Sequence, residues 1–209
     1  MERFASDHEV RTARWAGENV GKDTENQFAT IDYKEPSQVQ SLVEGTNAIL
    51  YIDDSELEDQ EVTEERRIEQ ATLAPYRLLQ ASREAEVKRV VLVSSLRLFD
   101  TYSEKYLIDE QWKPRPQPEA SSLAAYLKEQ TCREFAREGP VPVIALRFDP
   151  AEIQEDVNIA FSAVEKALAL PLLVPGYQWQ VFHISESDRY ITRQARLRLG
   201  WTGKIKKET

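Results

Sequence analysis

LLQASREAEVKRVVLVSS, residues 78–95, changes its periodicity halfway along. Up to Ala85 the apolar positions belong to an amphipathic pattern that begins at Ile68, so they mark the buried stripe of a helix. After Lys88-Arg89 the run Val90-Val91-Leu92-Val93 is unbroken and then stops at Ser94-Ser95, which reads as a strand buried on both faces. A helix feeding such a strand is the unit from which a helix-covered parallel sheet is built.

The same alternation continues on both sides. Upstream, Glu9–Trp15 and Gln27–Ile31 read as strands. A short helix then opens at Glu35-Pro36-Ser37 and stops at Gly45, followed by the apolar strand Ala48–Ile52. Asp53–Glu65 is acidic with no apolar face, hence a surface loop entering the helix Glu64–Ala85. Downstream, Leu96–Ala120 contains Pro114, Pro116 and Pro118 and reads as a loop of a length that usually serves function. Ser121-Ser122 is the expected cap of a helix Ser121–Arg137 stopped by Gly139-Pro140. Strand Pro142–Arg147, helix Gln154–Leu170, strand Trp179–Ile184 and a helix Asp188–Leu199 closed by Gly200 complete the chain. One α/β domain over residues 1–209 is expected, with an adapted N-terminus (1–25), the long loop (96–120) and a basic tail (202–209).

The formal net charge is −9, and no basic stripe precedes Lys204–Lys207, which disfavours a nucleic-acid or anionic-membrane partner; neither is expected. No apolar run approaches the ~20 residues that span a bilayer, and Met1-Glu2-Arg3 leads into no signal-peptide core. With one cysteine, Cys132, and two histidines, neither an internal disulfide nor a soft-ligand metal cluster can be assembled. The expectation is a cytoplasmic protein without a metal. The acidic run Asp53, Asp54, Glu56, Glu58 and Asp59 lacks calcium-loop spacing and reads as a solvated face.

Several local patterns, in order, resemble the NAD-dependent epimerase/dehydratase family of extended short-chain dehydrogenases. Leu78–Val91 is similar to the family's LLEAAREAGVKRVV, and Ile31-Asp32 with Leu42–Ile49 to its D…L…L.G.DAVI segment. Val93–Phe99 resembles the strand end carrying the catalytic serine or threonine. Asp109-Glu110 with the following prolines resembles the DE…P..P loop, and Ile191–Trp201 the helix ending in LGW. The resemblance implies a Rossmann-like three-layer sandwich with a mostly parallel sheet, and the layout is nearest to the uronate dehydrogenases. It also implies Ser95 and Tyr126 as a catalytic pair, with hydride passing to or from NAD or NADP on a small sugar-like ligand.

Three departures bear on that chemistry. The family's opening strand, GxxGxxG turn and helix have no counterpart, since Gly17 and Gly21 are neither so spaced nor preceded by an apolar strand. The first βα unit is thus missing, and an unpaired edge is expected in mid-sheet. Asp53-Asp54 stands where the family has small residues beside the cofactor, and two carboxylates repel a diphosphate. In AYLKEQ, residues 125–130, the lysine that should follow Tyr126 by four is Gln130, which can hydrogen-bond a ribose but cannot stabilise a phenolate. Lys128, two residues on, belongs to another face and is expected in solvent.

Two functions follow. A degenerate member with impaired or lost dinucleotide binding and catalysis acts as a binding or structural pseudoenzyme; the alternative is an NAD(P)-dependent oxidoreductase or epimerase on a sugar, uronate or nucleotide sugar using Ser95 and Tyr126. A truncated product of a gene whose full form has the glycine loop is a third reading. A homodimer through helices Glu64–Ala85 and Ser121–Arg137 is expected, as the family commonly forms. His183 on an apolar strand reads as a core or edge residue, and Trp15, Trp112, Trp179 and Trp201 as packing anchors, with contact to a ligand or partner the alternative for Trp112 in the proline-rich loop.

Overall fold

Parallel strands cannot be joined by tight turns, so each pair needs a crossover, and the order of elements shows them. The structure, a computed structural model, describes residues 4, 8–16, 28–52, 62–139, 141–171 and 178–203. In chain order they form β1 (Ala13–Trp15), β2 (Ala29–Ile31), α1 (Pro36–Val43), β3 (Ala48–Tyr51), α2 (Glu64–Glu84) and β4 (Arg89–Ser95). A 3₁₀ turn (Leu96–Phe99), α3 (Ala120–Glu138), β5 (Val143–Phe148), α4 (Pro150–Glu155), α5 (Val157–Ala169), β6 (Trp179–Ile184) and a π-helical turn (Ala195–Leu199) follow.

Strands β3, β4, β5 and β6 lie side by side in that order, all parallel, with Ala48 opposite Arg89, Val90 opposite Val143 and Val143 opposite Trp179. β1 and β2 form a separate parallel pair in which Ala13 faces Ala29. This is the Rossmann-like α/β architecture expected from the sequence. Among the described residues no strand pairing joins β1 to β3, so the sheet is parted where the mid-sheet edge was expected. Side chains bridge the parting. The Trp15 ring meets Tyr51 edge-on at 6.4 Å and Tyr33 edge-on at 6.0 Å, all three within one buried cluster with Val39, Val43, Leu79 and Leu92. On the opposite face of the β1–β2 pair Arg14 Nε donates to Thr30 Oγ1 (3.2 Å).

Helices α1, α2 and α3 cover one side of the sheet; on the other, α5 and the C-terminal Trp201 bury Val91, Leu146, Phe148 and Phe182. Helix α2 ends in a Schellman arrangement: the Val87 N–H donates to Ser82 O (2.9 Å) and the Glu86 N–H to Arg83 O (3.3 Å), with Val87 buried behind them. That geometry puts Glu86 at φ 55°, a left-handed conformation usually left to glycine.

Several expected boundaries shift. The first strand starts at Ala13, not Glu9, and the second at Ala29. Pro150–Glu155 is a short helix that buries none of its residues and therefore left no apolar periodicity to read. The helix expected from Asp188 is confined to the turn closed by Gly200, at φ 71°. Ser121-Ser122 does not cap α3: Glu119 is the N-cap residue, and Ser122 Oγ accepts instead from the Gln117 N–H (2.9 Å). Gly17, Gly21, Asp53, Asp54, Glu56, Glu58, Asp59 and the tail from residue 204 lie outside the described residues, as does most of 1–25.

Candidate functional site

In a parallel sheet the loops that leave the carboxyl ends of the strands diverge, and the crevice between them is where ligands are held. Ser95 closes β4 at that end. It is buried, and its Oγ accepts from the Arg97 N–H (3.1 Å), capping the 3₁₀ turn that follows. Tyr126 lies on α3, half-buried against a cluster built by that turn (Leu96, Leu98, Phe99), the long loop (Ile108) and Tyr190 from the segment after β6. The elements of the two candidates are thus in contact, although no hydrogen bond among the described residues joins Ser95 to Tyr126.

Gln130 is half-buried at the side of α3, where its Oε1 accepts from Arg133 NH1 (3.4 Å). Lys128 departs from expectation. It is 4% exposed, and its Nζ lies 5.4 Å from the centroid of the Tyr51 ring, beneath the end of β3. A residue two positions from Tyr126 does face elsewhere, but α3 is covered both by the sheet and by α2, so another face is not the solvent face. The ammonium is placed over an aromatic ring.

A buried polar chain that the sequence did not single out crosses the sheet below these residues. Arg147 of β5 forms a two-pronged pair with Glu129 of α3, Nε donating to Oε2 at 2.9 Å and NH2 bonding to Oε1. Ser94 Oγ donates to the same carboxylate (2.8 Å), and Arg147 NH1 reaches His183 Nε2 at 3.3 Å. Burial, and then the Arg147 charge, push the His183 imidazole down to about 3, so it is neutral. Glu110 from the long loop accepts from the His183 N–H (3.4 Å), and burial raises its carboxyl above the usual range. One signal was available: an arginine inside the otherwise apolar strand Val143–Phe148 requires a buried counter-charge.

The same edge is poorly suited to a diphosphate. A dinucleotide needs backbone N–H groups at a helix N-terminus, free of negative charge. Among the described residues the five α-helices start instead beside acidic residues: Glu35, Glu119, Asp149 and Asp156 are the N-cap residues, with the Asp149 and Asp156 side chains accepting from the first turn, while α2 is capped by Thr63 and followed by Glu64 and Glu65. A cleft of about 670 Å³ at the ends of β1 and β2 is lined by Asp32, Tyr33, Lys34, Glu65, Arg66 and Glu69. Its cations are engaged, Lys34 with Glu69 at 2.7 Å and Arg66 with Ala16 O at 2.9 Å. The described residues therefore do not fit the pyrophosphate of NAD. No group of three or more His, Cys, Asp or Glu suited to a metal occurs among them.

Residues 3–151 match the family model described as NAD dependent epimerase/dehydratase family. No curated protein matches the chain. Solved structures share the fold at low identity. One described as a mutated uronate dehydrogenase is 18% identical over 97% of this chain and 75% of its own, with a TM-score of 0.71. The glucuronic acid dehydrogenase from Chromohalobacter salexigens is 17% identical over 97% and 78%, with a TM-score of 0.72. A UDP-glucuronic acid 4-epimerase from Bacillus cereus, solved in complex with NAD, is 11% identical over 88% and 78%, with a TM-score of 0.63.

Proposed function

The chain belongs to the NAD dependent epimerase/dehydratase family, and from that premise we propose that it is a non-catalytic member, a binding protein that keeps the family's sheet and not its hydride chemistry. The carrying observation is the placement of Lys128. Proton transfer by a tyrosine at neutral pH needs a fixed cation that lowers the phenol from near 10. Here the lysine on the same helical turn lies over Tyr51, and the fourth residue on is an amide paired with Arg133. The acidic residues at or beside the starts of the described helices support the same reading. A small sugar-like ligand at the carboxyl ends of the strands, a homodimer, and a cytoplasmic setting suited to the buried thiol of Cys132 belong to this proposal. No described helix is long and apolar enough to cross a membrane.

Calorimetric titration of the full chain with NAD and with NADP tests it, beside a spectrophotometric assay with D-glucuronate. The expected outcome is no heat and no reduced nicotinamide. Micromolar binding with steady reduction overturns it in favour of an NAD(P)-dependent oxidoreductase or epimerase using Ser95 and Tyr126. That second reading is favoured by one observation, that Tyr126 packs on the turn which Ser95 caps.

A further inference from the structure

Where β6 ends, the turn Ser185-Glu186-Ser187 points its donors at a single carboxylate. Glu152 Oε1 accepts from Ser185 Oγ (2.8 Å), from the Glu186 N–H (3.0 Å) and from the Ser187 N–H (3.1 Å), while Oε2 accepts from the Glu186 N–H (2.9 Å). Ser185 is 2% exposed, so its hydroxyl is built into the fold rather than borrowed from the surface. Successive backbone N–H groups converging in this way form an anion-binding concavity, the arrangement by which proteins capture carboxylates. The resident carboxylate comes from α4, which buries none of its residues and whose contribution to the core is the partly buried Ile153. Glu152 supplies the hydrogen bonds that tie this helix to the turn after β6.

We propose that the Ser185–Ser187 turn is a carboxylate-binding cradle, occupied in the resting protein by Glu152 and opened to a carboxylate ligand when α4 swings away. The cradle lies at the same edge of the sheet as Ser95, where β4, β5 and β6 end. Replacing one carboxylate by another leaves the local charge unchanged once Glu152 has left. The Tyr190 phenol close by is raised first by burial, lowered by the Arg189 cation and raised by Asp100, Asp149 and Glu152, so three carboxylates act there against one cation, and a phosphate, at about −1.5 to −2, adds to that negative charge. The class of ligand is thus a monocarboxylate. This assignment goes beyond the proposed function and does not depend on whether a dinucleotide binds.

The test follows the Glu186 and Ser187 amide resonances of the full-length ¹⁵N-labelled chain during titration with sodium acetate and, separately, inorganic phosphate. In Glu152→Ala both resonances leave their wild-type positions, and acetate returns them saturably while phosphate does not. The wild type binds acetate at least about tenfold more weakly, because the competent state must first be opened. If Glu152→Ala fails to fold, Glu152→Gln, which keeps one acceptor oxygen, is compared with the same wild-type curve and binds acetate more tightly than wild type. Resonances of the folded variant that ignore acetate overturn the cradle. An equal response to phosphate overturns the ligand class, and equal acetate affinity in wild type and variant overturns Glu152 as the occupant.

Discussion

Arg147 and Glu129 face each other across the boundary between β5 and α3 with 4% and 1% of their side chains exposed. Taking both charges out of water is costly, and their attraction offsets that cost only while each keeps its partner. Arg147→Met alone should therefore lower stability by about 3–5 kcal/mol, because Glu129 is left charged and buried. Adding Glu129→Leu should restore most of the loss, though not all, since Ser94 Oγ and His183 Nε2 lose their contacts too. Urea denaturation of the two variants checks this. A double variant no more stable than Arg147→Met would show that the pair is not coupled.

Much of the architecture was legible because burial on two faces writes itself into a strand as an unbroken apolar run. β6 was located residue for residue at Trp179–Ile184, and β4 to within one. The place of Ser95 followed from where the run in β4 stopped. What the sequence could not disclose depends on partners distant along the chain. Trp15 and Tyr51 meet across the parted sheet, and no local pattern announces that an aromatic pair will stand where no backbone pairing joins the described strands. Helix α4 buries none of its residues, so it has no periodicity to find. Lys128 was misjudged because helical spacing tells which residues share a face, not how many faces the fold covers.

The burial of His183 makes acid sensitivity a sharp expectation. Its imidazole titrates at 6.5 when unfolded and is held down to about 3 when folded, by burial first and the Arg147 charge second. As pH falls below 6.5 the unfolded chain takes up a proton that the native state refuses until about 3, so stability declines through that window. The slope from this one group is about 1.4 kcal/mol per pH unit. His183→Gln removes the titration, so its urea midpoint should change less between pH ~6 and ~4 than that of the wild type. Equal acid slopes in the two proteins count against this.

Glu86 holds a left-handed conformation that costs a residue with a Cβ roughly 1–2 kcal/mol, and the family pattern that the segment resembles has glycine there. Glu86→Gly relieves the strain but adds freedom to the unfolded chain, so the net gain should be about 0.5–1 kcal/mol. The two Schellman bonds at Ser82 and Arg83 stay in place. A rise of a few degrees in the thermal midpoint is the expected reading, and a fall would show that the Glu86 side chain contributes more than its backbone costs.

The outer flank of α2 and α3 carries an aromatic pair that suits a two-fold interface. Tyr76 is 45% exposed and meets Phe135 edge-on at 6.2 Å, with the Arg77 guanidinium 5.9 Å above the Tyr76 ring and Arg83 6.0 Å above Phe135. In a self-complementary pairing the same patch meets its own copy, so one substitution is felt twice. Tyr76→Glu places two carboxylates near the axis, on a surface that keeps the Phe135 ring and has lost that of Tyr76. The wild type should sediment at twice the 24.1 kDa chain mass at micromolar concentration, and the variant at the single mass. The helix packing beneath is untouched, so circular dichroism of the variant should match the wild type. A wild type that sediments as a single chain at that concentration removes the dimer from the proposal.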